Sequence, residues 1–142
     1  MKKLVVFVSL ISLMISIKSL AQEKEPVDCD LLLGHWQGVH YYDENQDSGY
    51  WFTTSYDEDG TLIVEFDFFP NGHTDKQVGS WECENGVLMT AVYSENEKYW
   101  EYFQYLVVEL NQTDRVLRSL SGGNVFHSKR VEARLMTPEI AH

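Results

Sequence analysis

Beyond residue 33 the chain reads as eight short runs in which apolar and polar residues alternate, each bounded by turn-forming residues. This pattern constrains the fold most, because a period of two places one side of every run against a core and the other toward water. The runs are His35–Tyr42, Tyr50–Tyr56, Thr61–Phe69, Lys76–Glu84, Val87–Tyr93, Tyr99–Leu110, Arg115–Leu120 and Asn124–Arg134. They are rich in Val, Thr, Tyr, Phe and Trp, the residues that suit a pleated surface. Asn85-Gly86 fits a two-residue type I′ hairpin. Asp59-Gly60, Asn71-Gly72, Gly122-Gly123 and Asn111–Asp114 supply further corners. Connections this short pair neighbours in sequence, and eight strands joined up and down can close on themselves. The expected fold is all-β: an eight-stranded up-and-down antiparallel barrel preceded by a short helical turn in Val27–Leu33, capped by Asp28 or Asp30.

What precedes the barrel points to export. Lys2 and Lys3 lead into a 14-residue apolar run, Leu4 to Ile17, and Ser19-Leu20-Ala21 offers small residues at both cleavage positions. That is the layout of a secretory signal, and the apolar run is short of the roughly 20 residues a membrane-spanning helix needs. The expected division is a signal peptide at 1–21, a lead and helical turn at 22–33, the barrel at 34–134 and a tail at 135–142. The expected location is secreted or periplasmic, with no membrane span after cleavage. Without its three leader lysines the chain keeps 8 basic against 22 acidic residues, a formal charge of −14. Such a surface repels phosphate backbones, which argues against nucleic acid, and it would draw a basic protein partner. In an oxidising compartment Cys29 and Cys83 are candidates for one disulfide; the alternative is two unpaired buried thiols.

Chemistry is sparse. Asp43–Gly49 spaces oxygen ligands as a calcium loop does, but its glycine falls one place late and Thr54 stands where the bidentate glutamate belongs. The histidines at 35, 40, 73, 127 and 142 lack a metal-type pairing, so neither metal nor cofactor is expected. Glu65, Glu82 and Glu101 are expected on the outer face, away from any cleft. No signature calls for a nucleophile with its base, and the reading is non-catalytic. The third strand turns Leu62, Val64, Phe66 and Phe68 to one side, the fourth Gly79, Trp81 and Cys83, and the first Trp36, Gly38, His40 and Tyr42. The sixth is apolar on both sides, so either another segment covers its outer face or a partner does. The fifth, seventh and eighth runs leave the choice of face open.

Gly34-His35-Trp36, at the start of the first strand and just after a helical turn, resembles the opening motif of lipocalins. The later Asp59-Gly60-Thr61 and Gly79-Ser80-Trp81 look like those of small secreted bacterial lipocalin-like (calycin) domains. In that family the tryptophan closes the barrel floor and an arginine late in the last strand packs across it; Arg130 matches best and Arg134 second. Thr113-Asp114 looks like part of a second family motif, in which Arg115 replaces an aromatic. The resemblance spans about residues 30 to 134 and lacks the long helix that usually follows the barrel. It implies a calycin barrel able to bind a small hydrophobic or amphipathic molecule in its mouth. The residues expected to form that site are His40, Tyr42, Phe66, Phe68, Trp81, Tyr102 and Gln104, with Trp36 and Arg130 structural. The competing function is a secreted protein-interaction module, such as an inhibitor of a basic lysozyme or a protease, with the sixth strand's aromatics as anchors.

Overall fold

The structure, a computed structural model, describes residues 25–132. The proposed signal peptide, Arg134 and the 135–142 tail therefore lie outside the described residues. A 3-10 turn, Cys29–Leu32, leads into eight strands: β1 Gly34–Tyr41, β2 Gly49–Tyr56, β3 Thr61–Phe69, β4 Thr74–Glu84, β5 Val87–Ser94, β6 Tyr99–Leu110, β7 Asp114–Ser119 and β8 Val125–Val131. Asp28 caps the turn, its carboxylate accepting from the Asp30 amide. Every strand pairs antiparallel with its sequence neighbours, and β1 pairs with β8 from His35↔Val131 to Gly38↔Ser128. The sheet is thus a closed meander with no free edge.

The turn chemistry explains the registers. Asn85 and Gly86 both take positive φ, 52° and 76°, as a type I′ turn demands, and they lock β4 to β5 with Glu84 facing Val87. On β6 a bulge between Val107 and Glu109 shifts the pairing with β7. Up to the bulge, Tyr99, Glu101, Phe103, Tyr105 and Val107 are the inward set, while Trp100 and Tyr102 stand 53% and 76% exposed outside. The doubled apolar character of this strand is therefore not explained by a cover from residues 27–33. That segment instead sends Leu32 into the core and packs Val27 beside it.

The core lies at one end of the barrel. Leu32, Trp36, Tyr56, Leu62, Leu88, Val92, Val107 and Leu117 form it, with Trp81, Cys83 and Tyr105 packed against it. Trp36 is fully buried and donates from its indole N–H to the Leu32 carbonyl at 2.8 Å. Arg130 lies across the ring, its guanidinium carbon 4.3 Å from the centroid, and donates to the Leu31, Leu33 and Gln112 carbonyls. Gly34 serves the same contact: its φ is +106° and a Cβ there would stand 2.8 Å from Arg130 Nη1. Cys29 and Cys83 are disulfide-bonded with Cα atoms 5.9 Å apart, fastening the leading turn to the end of β4. Among the described residues no helix is long and apolar enough to cross a membrane.

Candidate functional site

Above the packed floor the barrel opens into a cavity of about 410 Å³. Its wall has two chemically different sides. On β1–β3 and β8 it is aromatic: Tyr42, Tyr50, Phe52, Phe66, Phe68 and Phe126 line it. Tyr50 sits at the centre of that side, with ring centroids 5.2–6.3 Å from His40, Tyr42, Phe52, Phe66 and Phe68. Rings in tilted and edge-on contact hold one another while leaving their inner faces free. Burial and the neighbouring Tyr42 push the Tyr50 phenol up to about 12, so it stays a neutral donor throughout the physiological range.

On β4–β6 the wall is polar near the mouth, with Asp75, Gln77, Glu97, Tyr99 and Glu101. Asp75 accepts from Asn96 at 2.9 Å, and Gln77 reaches both Asp75 and Glu101 at 3.4 Å. These contacts fix the carboxylates on one side of the opening. Glu101 was expected outside. It faces inward because the odd-numbered residues of β6 are the inner set, fixed by the pairing of Thr90 with Phe103. Glu65 and Glu82 belong to the outward sets of β3 and β4, opposite Phe66 and Trp81.

At the bottom of the cavity Arg115, the first inward residue of β7, is only 1% exposed. Its Nε donates to Ser128 Oγ at 2.8 Å, and its guanidinium carbon lies 5.1 and 5.3 Å from the Trp36 and Tyr56 ring centroids. Burial pulls its pKa below the usual arginine value, with the Tyr56 and Tyr105 phenols as favourable neighbours. Tyr105, deep beside it, is pushed up mainly by burial.

Of the residues expected to bind ligand, Tyr42, Phe66 and Phe68 line the cavity, and His40 supports it through ring contacts with Tyr42, Tyr50 and Phe126. Trp81 lies lower, edge-on to Tyr56, with its indole donating to the Asp57 carbonyl at 3.1 Å. Tyr102 and Gln104 point away from the cavity: both are exposed, on the outward side of β6. Assigning them to the interior inverts that strand's parity. The inward residues absent from the sequence-based set include Tyr50, Phe52, Thr54, Phe103, Tyr105, Arg115 and Phe126. The alternation of β2, Tyr50-Phe52-Thr54-Tyr56, could have revealed the first three; Arg115 is marked only as the residue that replaces an aromatic after Thr113-Asp114, which gives no sign that it is buried. No group of three or more His, Cys, Asp or Glu residues placed to hold a metal ion occurs among the described residues.

No protein-family model matches this sequence, and no curated protein matches it. A solved structure of a lipocalin-like protein from Bacteroides uniformis ATCC 8492 is similar, with a TM-score of 0.52 and 14% sequence identity. The match covers 71% of this chain and 99% of that one. At that identity the likeness speaks to architecture alone, and it agrees with the closed eight-stranded meander. The chain has a lipocalin-like fold.

Proposed function

We propose that this protein is an exported, non-catalytic container that holds a small apolar or amphipathic molecule inside its barrel. The cavity is the observation that carries the reading. Its volume falls within the range of small-molecule sites, and its walls are mostly apolar and aromatic with a few placed polar groups. An eight-stranded barrel is just wide enough for such a ligand once side chains leave one end unfilled. Export is supported by the leader-like first 21 residues and by the disulfide, a bond that persists in oxidising compartments.

A fluorescent amphipathic probe titrated into the oxidised protein tests the reading. The expected result is saturable one-to-one uptake that is lost in Val64→Trp, whose added ring fills the cavity, while the far-ultraviolet circular dichroism is unchanged. Undiminished uptake by that variant would place binding elsewhere. A second reading has one observation in its favour: Trp100 and Tyr102 stand exposed side by side on the outside of β6, as anchors for a protein partner would. Inhibition of a basic lysozyme that disappears in Trp100→Ala, with probe uptake intact, would select that function instead.

A further inference from the structure

Arg115 is a charged group in the wrong place for a structural residue. It is fully buried, no described carboxylate pairs with it, and its Nη1 has no hydrogen-bond partner. A buried charge without a counter-charge is strongly disfavoured, and an orphaned N–H adds to the penalty. The flanking Trp36 and Tyr56 rings offset part of that cost by attracting the cation, and the Tyr56 phenol is a favourable hydrogen-bonding neighbour, yet Nη1 itself is left without a partner. A second buried polar atom, Thr54 Oγ1, is orphaned too. Both residues line the same cavity. Thr54 is the register partner of Trp36 on β2, so the two unsatisfied groups flank one tryptophan at the bottom of the barrel. Unsatisfied groups converging on one cavity point to a missing acceptor there.

We propose that the cavity floor binds the carboxylate of an amphipathic acid, with Arg115 Nη1 and Thr54 Oγ1 donating to its oxygens. This deepens the container reading and rests on it. The carboxylate is planar and acceptor-only, matching two donors that are themselves short of acceptors. The orientation follows from the charges at the two ends. Asp75, Glu97 and Glu101 on the mouth side repel an anion held there, whereas the floor carries an uncompensated cation. The acid therefore enters with its head leading, and its apolar chain runs up past Phe52, Phe66 and Phe126 toward the opening.

The test compares three ligands of equal chain length on the oxidised protein by calorimetry: decanoate, decanol and decyltrimethylammonium. Decanoate is expected to bind at least about tenfold more tightly than decanol, the difference one charge-assisted hydrogen bond supplies, with the ammonium weakest. Arg115→Met should bring decanoate down to the level of decanol and leave decanol within about twofold. Thr54→Val, nearly isosteric, should weaken decanoate by several-fold, and it serves if the arginine variant does not fold. Equal affinity for decanoate and decanol in the unmodified protein overturns the head-group assignment and leaves the container standing. Preference for the ammonium overturns it too, by putting the head at the acidic mouth. Failure of all three ligands to bind removes both the assignment and the container.

Discussion

The two ends of the barrel are built on opposite plans. At the floor, Leu32, Trp36, Leu62, Leu88 and Val107 are at most 1% exposed, and a disulfide and two Arg130–carbonyl hydrogen bonds tie the leading segment beneath them. At the mouth the side chains are just as large, yet Tyr42 and Tyr99 are 60% and 47% exposed and the rings touch edgewise around empty volume. Close packing gives stability where each ring is surrounded on all sides; a ring that leaves one face free gives space instead. One sheet thus divides its work by depth. Stability comes from the floor, and the proposed binding draws on the mouth together with the buried cation where the two regions meet.

Several substitutions can break that division. Trp36→Ala should have the largest effect, about 3–5 kcal/mol in denaturant unfolding, because the ring is fully buried and carries the Arg130 contact. A loss under about 1 kcal/mol would mean that the floor is not the packed end. Removing the disulfide with Cys29→Ser and Cys83→Ser should cost about 2–4 kcal/mol, since the bond closes a loop of sequence separation 54. Because the bond lies beneath the floor, probe affinity should change little under conditions where the variant remains folded.

Arg115→Met sharpens the boundary between the regions. Replacing an unpaired buried cation by an apolar side chain of similar length should leave the ligand-free protein as stable as before, or more so. A destabilisation above about 2 kcal/mol would make Arg115 a structural residue of the floor. The smallest effect is expected at Tyr102→Ala, within about 0.5 kcal/mol and with unchanged probe uptake, because the side chain is 76% exposed outside the barrel.

The sequence made the floor more legible than the cavity, for physical reasons. Turns such as Asn85-Gly86 and alternation such as Leu62-Val64-Phe66-Phe68 are local, so strand number, order and closure could be read from residues near one another. Gly34 and Trp36 carry the floor within three positions. The parity of β6 is not local: Trp100-Tyr102 and Tyr99-Phe103-Tyr105 are equally apolar, and only the register with β5 decides which set faces inward. Hence the sequence alone puts Tyr102 and Gln104 inside and Glu101 outside, and the register inverts all three together. Arg115 was harder still. In the sequence it stands as an arginine where an aromatic was expected, and charge normally marks a solvated face. Its burial comes from β8 and β1 closing the barrel around it, with Ser128 supplying a bond from 13 residues away.

The claim that the upper barrel is hollow above a solid floor is tested most directly by side-chain nuclear magnetic resonance during titration with a ten-carbon amphiphile. The account predicts saturable shifts of the Phe52, Phe66 and Phe126 rings while the Trp100 and Tyr102 signals stay in place. Shifts confined to Trp100 and Tyr102, or rings that do not respond to any ligand, would contradict it.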